Sequence, residues 1–240
     1  MKKQDLYFFI FLLLIISIFL PFNFLDSFHK NFLYNHQYWY LAGFLKFAVL
    51  ATIGESLGLR ISKGIYNYKG FGLLPRAIVW GFLGIGIKIA FVIFATGAPA
   101  LLTKLFGIDD AVKSMQFASI FDAADKGYGG IRILTAFTIS TTMNLIFAPV
   151  FMTFHKITDI HILENNGSIA GFFTPIKFKK IFPELNWSVQ WNFVFKKTIP
   201  FFWIPAQTIT FLMPSEYRIV FAAILGIVLG VILAIAANKK

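Results

Sequence analysis

The sequence predicts an all-α protein, a polytopic transmembrane helix bundle of about six spans with both termini cytoplasmic, and three observations predict it. The 240 residues are 58% hydrophobic and only 14% charged, with apolar runs too long for core helices of a soluble domain. Ile219 to Ala237 carries no charge over 19 residues, which at 1.5 Å per residue spans about 28 Å, close to the hydrocarbon thickness of a bilayer. Lys and Arg collect on alternate connecting segments, as expected where cytoplasmic loops retain positive charge. No linker rich in Pro, Ser or Gly separates self-sufficient halves, so one integral-membrane domain over residues 1–240 is expected.

The first span is expected over residues 6–24. Met1-Lys2-Lys3 and the apolar run that follows look like the start of a secretory signal, but no small-x-small cleavage site comes after it, which predicts a retained signal anchor. Tyr34, Tyr38, Trp39 and Tyr40 then suit a headgroup-level aromatic belt before a second span over 38–59. A basic loop with Arg60, Lys63, Lys69 and Arg76 leads to a third span over 77–95, which Gly97-Ala98-Pro99 is expected to end or kink.

Residues 104–130 hold Asp109, Asp110, Asp122 and Asp125 and read as an exposed loop with a short amphipathic helix near 111–121. The fourth span, 131–152, is rich in Ser, Thr and Asn. A long polar segment over 155–197 follows, with Trp187 and Trp191 as interfacial anchors. Spans over 199–213 and 219–237 close the chain as a tight hairpin about Pro214, with Arg218 at the entry of the last helix. In that helix Ala222, Gly226, Gly230 and Ala234 fall at four-residue spacing, a line of small residues along which another backbone can approach closely. It is expected to be the tightest helix contact in the protein.

With the N-terminus cytoplasmic, fourteen Lys and Arg fall on inner segments, against Lys30, Lys104, Lys113, Lys126, Arg132 and Arg218 outside. The net charge of +11 is therefore read as orientation and contact with anionic headgroups rather than nucleic-acid binding. The expected partners are the lipid bilayer and its anionic headgroups at the inner basic loops, and the small-residue faces are compatible with a homo-oligomer. The absence of cysteine excludes disulfides, thiol catalysis and cysteine-ligated zinc.

Charged side chains within spans are costly and call for a partner or a wet cavity. Lys46 and Lys88 lie at similar estimated depths, and Glu55 is the one acid within a span. Thr135, Thr138 and Thr142 share a face of the fourth span at that depth, with Gln207 and Thr210 expected nearby. These residues, Glu55 included, are the candidates for a cavity lining. Against this, lysines can snorkel, Glu55 can reach the inner interface near Arg60, and threonines can bond back to their own helix. His155, Asp159 and His161 read as plain loop residues rather than a metal site, and no cofactor or catalytic constellation is expected.

Trp203, Pro205, Gln207, Phe211, Met213-Pro214 and Tyr217-Arg218 follow the order of the last hairpin in the Mpv-type family of peroxisomal and mitochondrial inner-membrane proteins. The chain resembles that family. Gly54-Glu55 and Phe147-Ala148-Pro149 match its Gly-acid and Phe-x-Pro positions, while Ile204 separates the Trp and Pro, and Thr210 stands where the family has Asn. The resemblance implies a remote bacterial relative and a channel-like pore or metabolite-homeostasis factor. A bacterial cytoplasmic membrane is the expected location, since no Arg- and Ser-rich transit peptide is present. Two readings follow: a channel- or transporter-like bundle passing small solutes, anions among them, or a non-transporting scaffold that packs with partner helices and anionic lipid.

Overall fold

A computed structural model describes residues 3–20, 25–33 and 35–238, and the side chains of all of these except His36 and residues 233–238. Every regular element among them is helical. The main helices are α1 (Lys3–Phe19), α2 (Trp39–Lys63), α3 (Leu73–Phe106), α4 (Gly129–Ile146), α5 (Ala148–Glu164), α6 (Ile204–Leu212) and α7 (Ser215–Asn238). Short helices Asp110–Ser114 and Ile120–Asp125 lie between α3 and α4, and a π-helical segment, Gln190–Trp203, runs directly into α6.

Three helices, α2, α3 and residues Ser215–Ile232 of α7, are long and apolar enough to cross a membrane, consistent with an integral membrane protein. The pair α4 and α5, bent by 46° at its break, makes a fourth if it counts as one span. Two of the six expected spans differ in form. α1 has 17 residues, about 26 Å of helix, and the expected residues Pro21 to Phe24 lie outside the described residues. The fifth is not one α-helix, because nine α-helical residues in α6 continue 14 π-helical ones.

Other boundaries moved for local reasons. α3 does not stop near Ala95 but continues through Pro99 to Phe106; one missing N–H is tolerated in an apolar helix whose neighbours re-satisfy the freed carbonyl. The fourth span breaks at Phe147, with Pro149 in the first turn of α5, where its absent N–H costs nothing. The first ten residues of the expected polar segment, 155–164, are the second half of α5, which ends at Glu164. The expected helix at 111–121 is two short ones, and the second opens with a capping box in which Ser119 and Asp122 each satisfy the other's backbone.

The chain divides into two compact units, residues 1–85 with 219–240, and residues 86–218. In the first, α2 packs on α3 through glycine. A Cβ at Gly84 would meet Phe47 Cβ at 2.6 Å and the Gly43 carbonyl oxygen at 2.8 Å, and one at Gly81 would overlap the Phe44 ring. α7 packs on α2 at Gly54, where a Cβ would lie 2.9 Å from Ile227, while one at Gly230 would lie 3.7 Å from the Gly54 carbonyl oxygen. Gly226 faces open space, and the Ala234 side chain lies outside the described residues. A strict four-residue line drifts about 40° per step round a helix of 3.6 residues per turn. The stripe that stays on one face is Val220, Ala223, Ile227 and Gly230, at spacings of three and four.

In the second unit α4 lies against α6. Arg132 reaches the Leu212 carbonyl at 3.5 Å, and Ser140 donates to the Ile204 carbonyl at 2.7 Å. The same eight-residue step separates both pairs, in opposite directions, so the helices run antiparallel in a fixed register. Ala136, Ile139, Met143 and Phe211 fill the contact.

Candidate functional site

In the first unit Glu55, Ser56 and Arg60 of α2 find tertiary partners. Glu55 is no lone acid reaching for the interface: it pairs with Arg76 and accepts from the indole N–H of Trp80 at 2.6 Å. Arg76 also donates through Nε to the Phe71 carbonyl at 2.8 Å and stacks its guanidinium 4.4 Å from the Phe71 ring. The pair therefore ties α2 to the start of α3, with Arg76 buried and Glu55 nearly so.

A second network follows one turn on. Arg60 Nε and the Tyr66 hydroxyl both donate to Asp5 Oδ1, at 2.8 and 2.9 Å, and Phe8 stacks on the Tyr66 ring. Ser56 holds the Tyr66 carbonyl at 2.5 Å. Burial, then the hydrogen bond to the Asp5 carboxylate, push the Tyr66 phenol above its ordinary range. Lys46 lies in this unit, 3% exposed.

In the second unit the cations are differently served. Lys88 stands at the middle of α3, 15 residues after Leu73 and 18 before Phe106, half-buried and with no carboxylate paired to it among the described residues. The charge that acts on it is another cation, Arg218. Arg218 donates to the Met213 and Phe211 carbonyls at 3.1 and 3.3 Å, and its guanidinium lies 5.6 Å from the Phe211 ring. Arg132 is fully buried and donates to the carbonyls of Ser114, at 2.9 Å, and Phe117, at 2.7 Å, besides that of Leu212. Two guanidinium groups thus converge on the carbonyl end of α6, where the helix dipole is negative.

The threonines of α4 bond mostly to their own helix. Thr135 donates to the Ile131 carbonyl at 2.7 Å, Thr138 to that of Leu134 at 2.9 Å and Thr142 to that of Thr138 at 2.8 Å. Thr210 does the same to Ala206, while Gln207 is 5% exposed with its Oε1 unmatched by any described residue. His161 meets the Phe172 carbonyl at 3.1 Å, and His155 lies 3.8 Å from Asp159.

The sequence did not single out Arg132, Arg76 or Asp5. Arg132 lies only two residues beyond Gly130 and was counted among the outer charges; its place at the head of an apolar run was the signal that it enters the protein.

Comparison with protein-family models, with curated proteins and with solved structures finds no match to this chain.

Proposed function

We propose that this is a channel- or transporter-like membrane protein that passes small solutes, anions among them. The observation that carries the reading is Lys88: a cation midway along a 34-residue apolar helix, whose electrostatic neighbour is Arg218. An ammonium near the bilayer centre costs about 2.5–3.5 kcal/mol on insertion scales. Water and a mobile counter-anion lower that cost, and a fixed positive charge in a narrow passage raises the local anion concentration. The resemblance of Trp203, Pro205, Gln207, Phe211, Pro214, Tyr217 and Arg218 to the last hairpin of the Mpv-type family supports the same class of function. Six spans, cytoplasmic termini and a bacterial cytoplasmic membrane belong to this proposal: the spans rest on the apolar runs, the orientation on the charge asymmetry and the membrane on the family resemblance without a transit peptide.

Flux of anionic, neutral and cationic solutes into proteoliposomes of the purified chain tests it. Anion flux that falls in a folded Lys88→Gln variant is expected; no flux of any solute overturns the reading. The alternative, a non-transporting scaffold, draws its support from Thr135, Thr138 and Thr142, whose hydroxyls bond back to their own helix.

A further inference from the structure

Lys88 and Arg218 come together at one apolar contact of the second unit. The Phe91 and Phe211 rings, both buried, have centroids 4.9 Å apart and join α3 to α6. Arg218 is held on Phe211 twice: it donates to that carbonyl at 3.3 Å, and its guanidinium lies 5.6 Å from the ring centroid. Lys88 precedes Phe91 by three residues of the same helix, which puts the two on one face. Arg218 is accordingly the charge that acts on Lys88.

This place is rich in donors and short of acceptors. Arg218 uses Nε on the Met213 carbonyl and one Nη2 hydrogen on that of Phe211, which leaves about three of the five N–H groups of a guanidinium. The Lys88 ammonium adds its own donors, and no described residue accepts from them. Glu216, the acid that acts on Arg218, is exposed; its carboxylate accepts from the Ser215 hydroxyl at 3.2 Å and pairs with neither cation among the described residues. Arg132, bound to the Leu212 carbonyl at 3.5 Å, adds a third positive charge beside Arg218.

Two cations against apolar rings repel each other where screening is poor, and each has lost hydration there. A small anion relieves both costs, and the donors select its kind. A planar guanidinium fork with an ammonium beside it suits the paired oxygens of a carboxylate or phosphate better than a spherical halide. We infer that Lys88 and Arg218 form a binding site for a small oxyanion, a carboxylate or phosphate group, between α3 and the end of α6. That this oxyanion is the solute transported rests on the function proposed above; the site itself does not.

Equilibrium dialysis of the purified chain, in nanodiscs of zwitterionic phosphatidylcholine, against radiolabelled inorganic phosphate at constant ionic strength tests the site. One saturable site is expected, from which succinate displaces the label and chloride at the same concentration does not. Lys88→Gln, which breaks no bond to a described residue and so keeps the fold, weakens binding about tenfold. Arg218→Lys keeps the charge but loses the fork, and weakens binding as well. Lys30→Gln, at the exposed pair with Asp26, leaves it unchanged. Nanodiscs of anionic phosphatidylglycerol separate the two sources of the oxyanion: binding kept there assigns a soluble one, and binding lost there assigns a lipid headgroup phosphate to the same two residues. No saturable binding, equal affinity in Lys88→Gln, or equal displacement by chloride overturns the site, even where the parent passes solute. Phosphate binding that depends on Lys88 in a chain that passes no solute upholds the site and overturns the transport reading instead.

Discussion

Ser140 donates its hydroxyl proton to the Ile204 carbonyl at 2.7 Å, joining the middle of α4 to the first residue of α6. The same hydroxyl lies 3.3 Å from the Asn144 amide, whose Nδ2 also donates to the Ser140 carbonyl at 2.9 Å. A buried chain of such bonds polarises itself and fixes register. Replacing Ser140 by Ala removes the link and leaves the Asn144 amide short of an acceptor. A loss of about 1–3 kcal/mol is expected, read as a lower midpoint in detergent denaturation. Thr138→Ala, whose hydroxyl bonds only its own helix at 2.9 Å, serves as the comparison and stays near the parent.

Glu55 and Arg76 are a mostly buried pair. Removing one partner leaves the other charge uncompensated, at a cost of about 3–5 kcal/mol. Glu55→Ala is expected to lower thermal stability more than Lys30→Ala, which breaks the exposed pair with Asp26, a kind worth about 0–1 kcal/mol. Equal melting temperatures for the two variants would contradict the assignment of Glu55 as the tie between α2 and α3.

The glycines of the first unit separate close contacts from open faces. Gly84→Ala forces its Cβ onto Phe47 and the Gly43 carbonyl and is expected to cost about 1–3 kcal/mol. Gly226→Ala meets nothing within 4 Å and is expected to be neutral or slightly stabilising, since Ala is the better helix former. Thermal melts of both variants check the pair of outcomes.

Tyr66 predicts an alkaline effect. Its phenol is held above the ordinary value of 10.0 by burial and by the bond to Asp5, so the folded protein keeps that proton after the unfolded chain has released it. The contribution is complete below the unfolded value and is lost as pH rises through the folded one. Between neutrality and strong alkali the stability of the parent should fall more than that of Tyr66→Phe. Parallel pH profiles would show that Tyr66 carries no such linkage.

Much of the fold was legible because apolar length and proline are local signals. The turn at Pro214 lies where expected, between Leu212 and Ser215, and the second span, expected over 38–59, is the helix Trp39–Lys63. Pro149 was as visible as Pro214, yet it marks the bend at the break between α4 and α5, because a proline in the first turn starts a helix. The partners of the charges were not legible. Arg76 is 21 residues from Glu55, and Arg60 is 55 from Asp5, and no helical periodicity links residues on different elements. The small residues of the last helix were visible, but which of them meets a neighbour depended on the drift of a four-residue line about a 3.6-residue helix.

The topology proposed from charge is checked with single cysteines at Asn166 and Asp110, on opposite sides of the bent pair α4 and α5. An impermeant reagent added to intact cells is expected to label Asp110→Cys and spare Asn166→Cys. Labelling of Asn166→Cys from outside would reverse the orientation.

The most direct test of the functional claim is the reversal potential across a bilayer holding the purified chain in a salt gradient. The parent is expected to give an anion-selective potential, and a folded Lys88→Gln variant one shifted toward zero or reversed, because the fixed charge that concentrates anions is gone. No conductance and no solute flux in the parent, or the same selectivity in both proteins, would contradict it.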